Sequence, residues 1–121
     1  MQEFEVIFYA KENGEEPAKE FLMSLDDKMR AKIVRAISRL ERNGIELREP
    51  FSKHLEDGIF ELRASFSSNI SRVLYFFFTG RTIILTNGFI KKTQKTPRAE
   101  IDKAKRYRDD YIRRENKTDG N

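Results

Sequence analysis

From Ile59 to Gly88 the chain reads as three consecutive strands joined by short turns, and no other feature constrains the fold as much. Ile59 to Phe66 alternates, with Phe60, Leu62 and Ala64 opposite Glu61, Arg63 and Ser65. That period of two is what a strand with one buried face requires. Ser67, Ser68 and Asn69 supply a turn, and Ile70 to Phe78 is the most apolar stretch of the chain. Thr79-Gly80 closes a tight hairpin and Arg81 to Gly88 returns. A meander of this kind must bury its apolar face against another layer.

Helices on either side can provide that layer. Phe4 to Tyr9 reads as a strand, ended by the turn signal Asn13-Gly14. Glu15, Glu16 and Pro17 open a short helix to about Leu25, with acids at the positive end of its dipole and Pro in its first turn. Asp26 and Asp27 start a second helix to about Asn43, with Met29, Ile33, Ala36, Ile37 and Leu40 at helical spacing and Gly44 as its C′ residue. Lys91 to Thr96 is polar and loop-like, and Thr96-Pro97 opens a last helix with Thr96 as N-cap. Ile101, Ala104, Tyr107 and Tyr111 form its inner stripe.

The order β-α-α-β-β-β-α predicts an α+β domain over residues 1–116, with residues 117–121 frayed. The two N-terminal helices pack on one face of an antiparallel sheet, and the first strand crosses behind it. The other face is expected to be open to solvent or to a partner. With 38% hydrophobic residues and ten Phe, the 121-residue chain can build a core although 36% of it is charged. Cysteine is absent, which excludes disulfides and thiolate metal sites. The acidic N-terminus lacks the h-region of a signal peptide, and the longest apolar run, Val73 to Phe78, is too short to cross a bilayer. These features predict a cytoplasmic protein with no membrane partner.

Charge is unevenly spread. Residues 1–60 hold ten Lys/Arg and thirteen Asp/Glu, whereas residues 61–121 hold fourteen and seven. Between Arg63 and Arg98 lie Arg63, Arg72, Arg81, Lys91, Lys92, Lys95 and Arg98 without one Asp or Glu. A positive surface with no acid in its own sequence to neutralise it is the footprint of a polyanion binder. Arg72, amid an apolar strand, needs a partner or water. Glu61 on the neighbouring strand could pair with it or with Arg63, but the favoured reading projects Arg72 from the open face towards a bound phosphate. Lys91, Lys92 and Lys95 precede a helix N-terminus, as in anion sites. His54 is either an ordinary surface histidine at a strand edge or, like Lys53, a proton-transfer or phosphate-contacting group at the rim of the same cleft. Lys28, Arg30, Lys32, Arg35, Arg39 and Arg42 line the outer face of the second helix. They form either a solvated face or a secondary surface that touches RNA.

Such a cluster suits RNA cleavage by attack of a 2′-hydroxyl, in which cations stabilise the pentavalent phosphate. A lysine crowded by other cations holds its proton less firmly and can exchange it nearer neutrality. Metal and other cofactors are not expected, because the basic stretch offers no carboxylate ligand. Serine and cysteine nucleophile schemes find no support, with cysteine absent and one histidine in the chain.

Three segments carry a family resemblance: Asp57-Gly-Ile-Phe-Glu-Leu-Arg63, Ser71-Arg-Val-Leu-Tyr75 and Leu85-Thr-Asn-Gly-Phe-Ile-Lys-Lys-Thr-Gln-Lys-Thr-Pro97. In this combination the chain resembles the RelE/ParE superfamily of type II toxins, nearest its phage-derived, HigB-like branch, from about residue 3 to 113. The resemblance implies a microbial-RNase-like (RelE-like) fold and a ribosome-dependent mRNA endonuclease, or mRNA interferase, that blocks translation. It implies a helix-turn-helix, HigA-like antitoxin as partner, and contact with operator DNA only through that antitoxin. By the same resemblance Arg72 stabilises the scissile phosphate, Arg63 is the preceding strand's basic residue, and Lys91, Lys92 and nearby Lys95 are the basic positions after the strand. Lys53 and His54 fall near the first basic position, and Arg98 completes the substrate-binding set. No C-terminal tyrosine matches the catalytic one of RelE, since Tyr107 and Tyr111 lie within the last helix. A DNA gyrase inhibitor of ParE type and a non-catalytic RNA- or partner-binding module are the alternatives.

Overall fold

The computed structural model describes residues 3–91 and 95–119. The elements are β1 (Glu5–Phe8), α1 (Pro17–Ser24), α2 (Asp27–Asn43), a 3-10 turn (Gly44–Glu46), β2 (Ser52–Glu56), β3 (Ile59–Phe66), β4 (Asn69–Phe78), β5 (Thr82–Lys91) and α3 (Arg98–Asp119). They form an α+β fold around a five-stranded sheet of order β1-β5-β4-β3-β2. β1 pairs parallel with β5, and every other pair is antiparallel. Because β1 and β2 are opposite edges, α1 and α2 carry the chain across the back of the sheet, as the sequence predicts.

Local signals set the helix ends. The Asp26 carboxylate accepts a hydrogen bond from the Met29 N–H at 2.9 Å and so caps α2. The Arg30 guanidinium donates to the carbonyls of Leu22 and Leu25 at 3.0 and 2.5 Å, satisfying the last turn of α1. Arg30 thus serves the junction of the two helices. Gly44 has φ +51°, and a Cβ there would meet the Phe4 ring at 2.0 Å, so only glycine fits this helix end. The last helix, α3, extends to Asp119.

One core lies between the sheet and α1/α2, where Ala18, Leu22, Met29, Ile33, Ala36 and Leu40 pack against Leu62, Val73, Tyr75, Ile83 and Leu85. The opposite face is not open. Ile59, Leu74, Phe76 and Ile84 are covered by Ala104 of α3, with Tyr107, Tyr111 and Ile112 packed around them. The inner stripe of α3 finds its partner here, and the Tyr107 ring stacks on Tyr9 at 4.7 Å. Tyr9 in turn donates to Asp110 at 2.6 Å. Each large apolar side chain fully buried this way stabilises the fold by about 1.5–3 kcal/mol, which favours coverage of both faces.

β2 is the element the sequence reading lacks. Ser-Lys-His-Leu-Glu has none of the β-branched or aromatic enrichment of a strand. The signal lies in the turn that follows. Asp57 and Gly58 both have positive φ, 50° and 77°, the conformation that Asp-Gly adopts in a two-residue hairpin.

Candidate functional site

β3 and β4 place Arg63 opposite Arg72 in register. Both side chains share the α3 face of the sheet with Glu61, which precedes Arg63 by one strand period. Two guanidinium groups side by side repel, and the Glu61 carboxylate between them removes that repulsion. Arg63 Nε donates to Glu61 Oε1 at 2.5 Å, Arg72 Nη1 lies 3.4 Å from Oε2, and the Thr96 hydroxyl donates to Oε2. Arg72 Nη1 also lies 3.4 Å from Thr96 Oγ1.

This arrangement corrects two expectations. Arg72 does not project towards solvent: its side chain and that of Glu61 are both 0% exposed. The physical reason is the coverage by α3. A guanidinium on a central strand beneath a helix cannot reach water, so its charge is met by the buried carboxylate. Thr96 does not cap α3 either. Its hydroxyl serves Glu61, while the Pro97 carbonyl accepts from the N–H groups of Glu100 and Ile101.

Above this buried cluster lies a cleft of about 370 Å³. Five residues singled out in the sequence line it: Lys53 and His54 from β2, Arg63 from β3, and Lys95 and Arg98 from the approach to α3. Lys91 stands apart from this lining, exposed at the end of β5 opposite Ile70. Lys92 lies outside the described residues.

The cations of the cleft are not equivalent. Arg98 makes a two-pronged contact with Glu56, at 2.7 and 2.5 Å, and reaches Asp102 at 3.1 Å. Lys105 adds a contact to Glu56 at 2.5 Å. The Arg98 and Lys105 hydrogen bonds hold the Glu56 carboxyl down at about 2, and Glu56 followed by Asp102 raises the guanidinium of Arg98 further above its usual range. His54 lies against the Phe60 ring at 4.9 Å, and its Nε2 accepts from the Gly58 N–H at 3.2 Å. Lys53 and Lys95 make no ion pair with any acid among the described residues. They are the cations best placed to meet an incoming anion. Glu56 is what the sequence reading misses, and no local signal points to it. The pairing of Glu61 with Arg63 and Arg72, which the sequence offers as the less favoured alternative, is the one the structure adopts.

A mixed sheet backed by two helices and capped by a third is consistent with a RelE-like α+β fold, here with a basic cleft at its α3 edge. The family model described as Phage derived protein Gp49-like (DUF891) matches residues 20–109, and the chain belongs to that family. A comparison with curated proteins found no match. Among the described residues no helix is long and apolar enough to cross a membrane.

Proposed function

We propose that this chain is the toxin of a type II toxin–antitoxin pair and acts in the cytoplasm as a ribosome-dependent mRNA endonuclease. The observation that carries the reading is the cleft itself, where Lys53, Lys95 and Arg63 face one space above the buried Glu61–Arg72 pair.

In the proposed reaction the 2′-oxygen of the RNA attacks the adjacent phosphorus. The O2′–P bond forms, the P–O5′ bond breaks, and the products carry a 2′,3′-cyclic phosphate and a 5′-hydroxyl. One proton leaves O2′ and one arrives at O5′, so no water is consumed. Lys53, Lys95 and Arg63 stabilise the charge that builds on the phosphate, which is commonly the largest contribution to such a step. Lys53 and Lys95 are the cleft groups of a type able to exchange the two protons, while the His54 ring lies against Phe60 on the other face of the sheet. Arg72 acts from beneath: it neutralises Glu61, which would otherwise cancel the positive potential above it, and leaves Arg63 oriented into the cleft. Arg98 lies at the rim, and Lys91 extends the basic surface beyond it. The partner in this reading is a helix-turn-helix antitoxin that covers the cleft and contacts operator DNA.

Inducing the protein should stop growth and cut translated mRNA while an untranslatable copy of the same message survives. Replacing Lys53 and Lys95 together by Ala should lower cleavage about 100-fold or more with an unchanged melting temperature. Primer extension on both messages reads the outcome. Growth arrest with intact mRNA, or equal cutting of naked RNA without ribosomes, overturns the reading.

A further inference from the structure

β3 is longer than its edge partner. The register between them ends at Ser52↔Leu62, and beyond it the Arg63 N–H donates to the Phe51 carbonyl at 2.9 Å. The last residues of β3 therefore lie on the rim of the sheet, where the chain entering β2 turns away. Around that rim, on the α2 side, is a second groove of about 360 Å³. Lys32, Arg35 and Arg39 of α2 line it together with Phe51 and Arg63, and no acid does. Arg63 lines both this groove and the candidate cleft, so the two meet at one residue of the β3 rim.

The cations of this groove differ from their neighbours on the helix. Arg30 is spent on α1 carbonyls. Lys32 and Arg35 are exposed and make no ion pair with any acid among the described residues. Arg39 places its guanidinium 4.0 Å from the centre of the Phe51 ring, which is 39% exposed. Lys32 to Arg39 spans about 10 Å along the helix axis, long enough for more than one phosphate of a strand to meet it. A row of cations beside a partly exposed aromatic ring is the chemistry that tracks a single strand, with ammonium and guanidinium groups on phosphates and a ring against a base.

We propose that this groove holds the nucleotides flanking the one in the candidate cleft, so that a single RNA strand bends round the rim of β3 over Arg63 and continues along α2. The inference rests on the reading of the cleft as an RNA site. It makes Lys32 and Arg35 determinants of how long a strand the protein grips.

The test uses 2′-O-methyl RNA, which lacks the attacking hydroxyl, as fluorescent strands of three and ten nucleotides. Anisotropy titrations at several salt concentrations compare the wild-type chain with Lys32→Ala/Arg35→Ala and with Lys53→Ala/Lys95→Ala. Two phosphate contacts in a single strand correspond to about tenfold in affinity near physiological salt and about 1.4 in the salt slope. The α2 double variant should lose that much on the ten-nucleotide strand and nothing on the short one. The cleft double variant should weaken both. Unchanged binding of the longer strand by the α2 variant overturns the proposal. So does an equal loss at both lengths, or a groove that binds an acidic peptide such as poly-glutamate while the wild type ignores RNA. The two readings fail separately. Length-dependent gripping that needs α2, in a protein that cuts no mRNA in cells, supports the groove and retires the nuclease. Cleavage in cells without the length dependence does the reverse.

Discussion

A carboxylate with no exposed surface is tolerated where charge and hydrogen bonds meet it on several sides, and Glu61 is met by Arg63, Arg72 and Thr96. That geometry decides how a change at Arg72 is to be interpreted. Arg72→Ala deletes one of two cations from a buried acid and leaves a void on the central strand. Breaking a buried pair from one side costs about 3–5 kcal/mol, so the urea midpoint of this variant should fall steeply. Replacing both partners by apolar residues of similar volume, as in Glu61→Leu/Arg72→Met, removes the stranded charge and should recover part of the loss. Arg63, with a side chain 13% exposed, then turns to water. Equilibrium unfolding of the two variants checks the claim, and an Arg72→Ala midpoint equal to wild type would show that the pair contributes nothing. A loss of toxicity in Arg72→Ala is therefore informative only beside its stability. Lys53 and Lys95, which hold nothing together, are the cleaner probes of chemistry.

The attachment of α3 responds to pH at both ends, because polar contacts fasten its first half to β2 and its second half to Tyr9 and Ala10, just after β1. At the first, Glu56 is depressed from the ordinary 4.5 to about 2 by Arg98 and then Lys105. A carboxylate depressed in the folded state adds stability that is complete above its unfolded value and is lost as pH falls through its folded one. At the second, burial and then the Asp110 hydrogen bond push the Tyr9 hydroxyl up to about 12. A raised tyrosine adds stability that is complete below 10 and lost as pH climbs from there through about 12. Amide protection factors in the first turns of α3, taken against the intrinsic rate at each pH, should therefore fall between about pH 4.5 and 2, and Glu56→Gln should flatten that response while leaving the alkaline one near Tyr9 in place. Identical acid profiles for wild type and Glu56→Gln would remove Glu56 from the account. The same helix marks where sequence reading ends. The period of β3, the apolar run of β4, the hairpin turn before β5, the proline start of α1 and the Asp26 cap of α2 are local, and local chemistry carried them. β2 escaped because its strand character comes from the Asp57-Gly58 turn rather than from its own residues. The seat of α3 escaped because an inner stripe names a buried face without naming what it covers. The cleft was legible as far as its cations go, since the stretch from Arg63 to Arg98 lacks acids along the chain. Glu61 was legible only as an alternative partner for Arg63 and Arg72, and Glu56 not at all, because both lie just before that stretch and only the fold returns them to it.

At the scale of the whole molecule, a sheet covered on both faces leaves its rims as the places where backbone and charge meet solvent, and the basic residues gather at one of them. Lys53, Lys95 and Arg63 on the α3 side and Lys32, Arg35 and Arg39 on the α2 side meet at the free rim of β3. This layout requires α3. Without it Ile59, Leu74, Phe76 and Ile84, each now almost wholly buried, would form one apolar surface across the sheet. The same loss would remove Arg98 and Lys105, the partners of Glu56, and leave that carboxylate facing the cleft. A chain ended after Pro97 should consequently collect in the insoluble fraction, and refolded material should bind the dye ANS and melt without a cooperative transition. A chain ended after Asp119 keeps the full helix and should match the whole protein in yield and melting temperature. Soluble, cooperatively melting 1–97 material would mean that the sheet tolerates exposure of its second face. The open face that the sequence suggests would then be real, and Arg72, freed of its cover, would be able to reach a phosphate after all.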